Sequence, residues 1–187
     1  MTFADSIEAI EKKFTVHGKS DFRGETTLIV ERGQIADLAS FCKKDLGFDY
    51  LIDITSVDNS GTDPRFEIVY ELYRFREGEH LRLKLTVPED QCEVPTVSGV
   101  WKTANWHERE IWDMMGIKFA GHPDLRRILM WEGYPYFPLR KEFPLAGKSS
   151  NVEDVAFTSP APLAGGPFVT IPTDKSTRDR EPRSREI

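Results

Sequence analysis

Residues 65–87 read RFEIVYELYRF-REGE-HLRLKLTV, two runs rich in β-branched, aromatic and leucine residues joined by a short linker. In the second run Leu81, Leu83, Leu85 and Val87 alternate with Arg82, Lys84 and Thr86. That period of two sends the apolar side chains to one sheet face and the polar ones to the other. One face must be covered and the other meets water, as antiparallel sheets allow. A third run, FDYLIDITSV at 48–57, precedes them, and the connections DNSGTDP and REGE carry the Gly, Pro and Asp that tight turns use. The three runs predict an antiparallel meander.

The cover for its apolar face lies upstream. Ile7, Ile10 and Phe14 stand at helical spacing, predicting a first helix that ends before a break at His17-Gly18. TTLIV, at 26–30, reads as a further strand. Ile35, Leu38, Ala39, Cys42 and Leu46 share one face of a second helix, which stops at Gly47. The pattern is that of an α+β, two-layer domain whose mainly antiparallel sheet is covered by helices. Downstream, PEDQCEVPTVSG reads as a connection to a helical stretch from Val97 to Met115. Asn105 followed by Glu108 has the form of a helix cap inside it, so one helix or two are both open.

After Gly116 the composition changes. Nine of the 12 prolines lie between Pro123 and Pro182, interleaved with Trp131, Tyr134, Tyr136, Phe137, Phe143, Phe157 and Phe168. Prolines at this density block regular hydrogen-bonded structure. Rings left in water forfeit about 25 cal/mol per Å² of apolar surface. The stretch from Pro123 to Gly147 is therefore expected to be ordered, extended and laid on a surface, a partner's in preference to its own domain. This divides the chain into a globular domain over 1–121 and an extended, proline-rich, partner-wrapping arm over 122–187. The closing DKSTRDREPRSREI mixes both charge signs without apolar residues and reads as a disordered, solvated end.

The formal charge of −6 and the pI near 5.3 argue against a nucleic-acid binder, which needs a basic face. No run of about 18 apolar residues is present, so no direct membrane insertion is expected, and the N-terminus lacks the pattern of an export signal. Two cysteines without a CxxC motif suit a reducing compartment and cannot frame a sulfur-ligated cluster.

Charged and aromatic residues crowd together at 106–129, WHEREIWDMMGIKFAGHPDLRRIL. HEREI begins like a zinc-protease helix, but the position of the second histidine holds Ile111. Glu108 and Glu110, two apart on a helix, point about 200° from one another and cannot converge as an acid/base pair. Arg109 and Asp113 are four apart and share a face, as an ion pair would. No G-x-S-x-G turn or glycine-rich phosphate cradle is present. No catalytic residue, cofactor site or metal site is expected in this chain.

Taken in order, E-R-E-I-W-D-M-M (Glu108 to Met115), a six-residue gap, His122, three residues and R-R-I-L (Arg126 to Leu129) resemble the hallmark of the 30-kDa (C) subunit of respiratory NADH:quinone oxidoreductase, complex I. P-L-R-K-E-F-P-L at 138–145 is similar to that family's second block, with Glu142 where Asp is usual. Met115 stands where an aromatic is frequent. The resemblance implies a non-redox structural subunit of the peripheral arm, on the cytoplasmic side of a bacterial cell membrane. It implies docking on the quinone-site (D) subunit, near the iron-sulfur (B and I) subunits, with FMN, iron-sulfur clusters, NADH and quinone all held by other subunits. By the same resemblance Glu108, Arg109, Glu110, Asp113, His122, Pro123, Asp124, Arg126 and Arg127 are packing and docking residues. Pro138, Leu139, Arg140, Lys141, Phe143, Pro144 and Leu145 would clamp the arm to its partner.

Three other readings compete. The chain could be the equivalent subunit of a related membrane-bound hydrogenase or photosynthetic-type quinone oxidoreductase, a free-standing enzyme using Asp53, Asp58 or His122, or an assembly chaperone.

Overall fold

The computed structural model describes residues 2–145 and Gly147. The chain falls into two compact units, one ending at Lys141 and the other starting at Glu142. Of the second, only 142–145 and 147 are described, where the Gly147 N–H donates to the Pro144 carbonyl at 2.9 Å. The expected disordered end at 148–187 lies outside the described residues.

Helix α1 (Phe3–Lys13) opens on a capping box: the Asp5 N–H donates to the Thr2 hydroxyl at 3.2 Å, and the Thr2 N–H to the Asp5 carboxylate at 2.8 Å. It buries Ile7 and Ile10. Strands β1 (Val16–Phe22) and β2 (Glu25–Val30) form a hairpin, and a 3₁₀ turn then leads into α2 (Ile35–Lys44). Three longer strands follow, β3 (Tyr50–Asp58), β4 (Phe66–Arg74) and β5 (Glu79–Val87). Short β6 (Glu93–Pro95), α3 (Ala104–Met115) and β7 (Lys118–Ala120) complete the first unit's elements.

The sheet order is β1-β2-β5-β4-β3, antiparallel throughout except for the β2–β5 pair. The predicted meander is the β3-β4-β5 half. Leu81, Leu83, Leu85 and Val87 are all buried and meet Ile35, Leu38, Ala39 and Cys42 of α2 in one core. Full burial of such a side chain contributes about 1.5–3 kcal/mol. On the opposite face the polar alternates pair across strands, Arg82 with Glu71 and Glu25, Lys84 with Glu67 at 2.9 Å, and His80 with Glu71 at 2.6 Å.

Four elements differ from expectation. The break at His17-Gly18 is inside β1, an edge strand whose residues VHGKSDF are mostly exposed and so carry little hydrophobic pattern. Its turn is made by Arg23 and Gly24, at φ 54° and 82°, the left-handed pair that a two-residue hairpin needs. Helix α3 begins at Ala104, not Val97, and residues 97–103 form turns instead. The connection PEDQCEVPTVSG contains β6, which pairs in parallel with β7; three-residue strands are too short to show a period.

Candidate functional site

The charged residues of α3 sort by face. Glu108, Arg109 and Asp113 are buried in the fold, while Glu110 and Trp106 are exposed. The predicted Arg109–Asp113 ion pair is not formed. Arg109 instead donates to the carbonyls of Arg126 and Arg127, at 3.1 and 3.0 Å, with Trp106 stacked 5.3 Å from its guanidinium. Asp113 pairs with Arg127, and its Oδ2 accepts the successive N–H groups of Ile128, Leu129 and Met130 at 3.0, 2.8 and 2.8 Å. An irregular loop has unsatisfied backbone donors, and a single carboxylate collects three of them here. Burial alone would raise the Asp113 carboxyl, but the Met130 N–H, Arg127 and the other two amides outweigh it and hold it below its ordinary value.

Arg127 performs the complementary task. It donates to the carbonyls of Asp113 and Tyr136, at 3.0 and 3.2 Å, and to that of Tyr134. Trp112, Tyr134 and Phe137 surround the same guanidinium at 5.4, 5.6 and 5.4 Å. Further on, the Leu139 N–H donates to the Met114 carbonyl at 3.1 Å, Arg140 Nε to Met115 O at 2.7 Å, and the Lys141 N–H to Asp58 at 2.8 Å. The Arg65 guanidinium beside Asp58, helped by the Lys141 N–H, keeps that carboxyl low against its burial.

Residues 122–141 carry hydrogen bonds to α3 and to Asp58 at the end of β3, and the first compact unit ends at Lys141. The rings also shelter one another: Trp131 and Tyr136 both meet Tyr134 edge-on, at 5.5 and 5.6 Å. Side-chain carboxylate and guanidinium groups satisfy this backbone, an arrangement with no sequence period.

Other marked residues take various positions. The Pro123, Asp124 and Arg126 residues are exposed, with Arg126 on Asp124 at 2.9 Å. Pro138 is half-buried, Leu139 exposed, Arg140 half-buried and Lys141 exposed. In the second unit Phe143 is half-buried while Pro144 and Leu145 are exposed. The Asn105 cap is absent, since the Glu108 carboxylate reaches back to the Val97 N–H at 2.7 Å and to the Thr96 hydroxyl. Thr96 joins the site without a sequence signal, and Asp58, Trp112 and Phe137 take contacts there that their sequence positions do not specify. Gly116 had one, as a helix terminator, and its φ of 78° closes α3.

A shallow cleft of about 130 Å³ between β3 and α3 is bordered by Asp53, Ser56, Glu110, Ile111, Met114 and Leu139, with His107 on Asp53 at 3.1 Å. Burial pushes the Cys42 thiol up to about 12. Among the described residues, no group of three His, Cys, Asp or Glu could hold a metal ion, and no helix is long and apolar enough to cross a membrane. What the arrangement does offer is exposed apolar side chains on and around a braced loop, with Trp106, Leu129 and Leu139 60%, 61% and 56% exposed.

Known proteins share this fold. Residues 28–149 match the family described as the respiratory-chain NADH dehydrogenase 30 Kd subunit. The NADH-quinone oxidoreductase C subunit of Geotalea uraniireducens (strain Rf4) is 50% identical over 127 residues, 68% of this chain and 77% of that one. Among solved structures, the trypsin-resistant fragment of Nqo5 aligns at 32% identity with a TM-score of 0.56, over 65% of this chain and 97% of that one. The membrane-bound sulfane sulfur reductase, an archaeal respiratory membrane complex, contains a chain that aligns at 25% identity with a TM-score of 0.66, over 76% of this chain and 85% of that one. With the ERE helix, the Asp113–Arg127 loop and the family match all on one chain, this protein belongs to the 30-kDa subunit family of respiratory-chain NADH dehydrogenase, complex I.

Proposed function

We propose that the chain is a non-redox structural subunit of the peripheral arm of a proton-translocating NADH:quinone oxidoreductase, and that it docks through the braced loop. One observation carries this reading: a buried carboxylate and a buried guanidinium fix a loop that then displays Leu129 and Leu139 to solvent, beside Trp106. Holding a loop rigid before binding reduces the ordering cost of association, and exposed aromatic and aliphatic anchors suit the centre of an interface. The neighbour is the quinone-site (D) subunit, with the iron-sulfur (B and I) subunits nearby. FMN, clusters, NADH and quinone belong to other subunits of the complex. The complex lies at the cytoplasmic side of a bacterial membrane, and this chain is peripheral to it. The wrapping role extends past Lys141, with Phe143, Pro144 and Leu145 gripping the partner.

Co-purification with the quinone-site subunit tests this. A Leu129→Asp, Leu139→Asp variant that keeps its fold should lose capture by at least about tenfold, the equivalent of 1.4 kcal/mol. A chain ended after Lys141 should weaken capture without unfolding. Unchanged capture by both variants sinks the docking role. The likeness to the sulfane sulfur reductase complex favours a second reading, in which the complex takes another electron donor. Assaying NADH oxidation by the purified assembly separates the two.

A further inference from the structure

Beneath the docking loop lies a cluster of titratable groups that the proposed function does not use. Glu108 of α3 and His122, which follows β7, have fully buried side chains, with His122 Nε2 3.9 Å from Glu108 Oε2. From β4, the buried Tyr70 lies within electrostatic range of the same carboxyl, and its hydroxyl has no hydrogen-bond partner among the described residues. The segment after β6 brings the Val97 N–H, at 2.7 Å, and the Thr96 hydroxyl onto Glu108, with Ser98 2.8 Å behind Thr96. Arg109, the adjacent cation, points away to the carbonyls of Arg126 and Arg127. Glu108 thus holds one hydroxyl and one amide, with an imidazole nitrogen 3.9 Å away and a second hydroxyl behind the first.

The hydrogen bonds of His122 define its tautomer. The Asp124 N–H donates to Nδ1 at 3.0 Å, so Nδ1 holds a lone pair, and the ring's single proton sits on Nε2, which donates to the Asn105 carbonyl at 3.2 Å. Charging the imidazole would set an N–H against the Asp124 N–H. A neutral imidazole leaves a carboxylate at Glu108 with no counter-charge in a buried site, and an unpaired buried charge is far costlier than a neutral acid.

We propose that Glu108 is a proton-operated latch: carried as an uncharged acid beside a neutral His122, it ties the segment 96–98 to α3, and its ionisation slackens that hold. The position is suited to such a role, because the segment 96–98 follows β6, which pairs with β7 just before the 122–124 turn. Desolvation supports this, pushing the Glu108 carboxyl up to about 7 against the lowering effect of its Thr96 and Val97 hydrogen bonds. The linkage sign is opposite to that of an ion-paired carboxylate. Local opening releases a proton wherever the pH lies between the open-state value of 4.5 and the closed-state value of about 7, so the hold weakens as the pH rises through that window and is constant above it.

The test is NMR on the full chain, with the side-chain carboxyl of Glu108 followed from pH 4 to 9, alongside amide exchange at Val97 and at Ser98, whose N–H donates to the Thr96 hydroxyl. The carboxyl should titrate near neutrality. After correction for base catalysis, protection at those two amides should fall about tenfold per pH unit between pH 5 and 7 and level off above, while distant core amides such as that of Leu83 lack this slope. In Glu108→Gln the slope should vanish. A Glu108 carboxyl that titrates below pH 5, or protection with no slope in the native chain, overturns the latch. Both readings come from the native protein, so a variant that fails to fold still leaves the proposal decided.

Discussion

Asp113 and Arg127, 14 residues apart, close an ion pair inside the loop that Arg127 itself belongs to, with both side chains almost wholly removed from solvent. The carboxylate organises the amides on one side of the loop, and the guanidinium organises the carbonyls on the other. Neither could be buried without the other, since an unpaired buried charge costs several kcal/mol.

Replacing one partner should therefore be severe. Asp113→Asn puts an amide where three N–H groups converge and strips the charge from Arg127; a loss of about 3–5 kcal/mol in urea unfolding is expected. Arg127→Lys should also destabilise, because a lysine cannot reach the Asp113, Tyr134 and Tyr136 oxygens as a planar fork does. A Lys variant as stable as the native chain would show that the fork geometry is unimportant.

Gly116→Ala tests the close approach where α3 ends. A Cβ there would meet the Phe137 ring at 2.7 Å and an Arg140 nitrogen at 2.9 Å, on a backbone already at φ 78°. Left-handed strain costs about 1–3 kcal/mol before the displaced ring is considered. Trypsin should cut the variant faster at Arg126, Arg127 and Arg140 than the native chain, with the β-sheet signal in circular dichroism retained.

Acid should free the loop before it unfolds the sheet. The Asp58 and Asp113 carboxyls both lie below their ordinary 3.8 in the folded chain, so the unfolded chain binds more protons in acid. Their stabilisation is complete above that value and is lost as the pH falls through it toward the folded-state values. Trp112 and Trp131 fluorescence, followed below pH 4, should change at a higher pH than the far-ultraviolet signal. Coincident transitions would mean that loop and sheet are a single cooperative unit.

The two faces of β5 should respond unequally. Leu83→Ala removes a core side chain that is 1% exposed, and about 2–5 kcal/mol should be lost. Arg82→Ala removes a half-exposed ladder residue and should cost less than about 1 kcal/mol. Equal effects, measured by denaturant midpoint, would contradict the assignment of core and wet faces.

Much of this architecture is legible in the residue pattern. The alternation Leu81-Leu83-Leu85-Val87 fixes which face of β5 is buried, and the spacing Ile35-Leu38-Ala39-Cys42 does the same for α2, because burial imposes the period of the local element. Strand β1 escapes such a reading since an exposed edge imposes no period, and β6 and β7 escape it since three residues cannot display one. In the candidate site, the ERE block marks where charged and aromatic residues crowd together, but the partner of each charge is not encoded in spacing. Arg109 and Asp113 have an ideal helical separation and nevertheless bind other groups, because the loop's stranded carbonyls and amides attract them more strongly than they attract each other.

The linear order of amino acids by itself determined the sheet-and-helix layering, the end of α3 at Gly116 and membership in the complex I family, all of them consequences of local period, backbone freedom or motif. Only the tertiary structure decided that the proline-rich segment to Lys141 folds back on its own domain, that Asp113 serves Arg127 and that Glu108 is sealed in with His122 and Tyr70. Those outcomes depend on where buried polar groups find partners across distant parts of the chain, and desolvation, which chooses among the possible partners, exists only once the layers have closed.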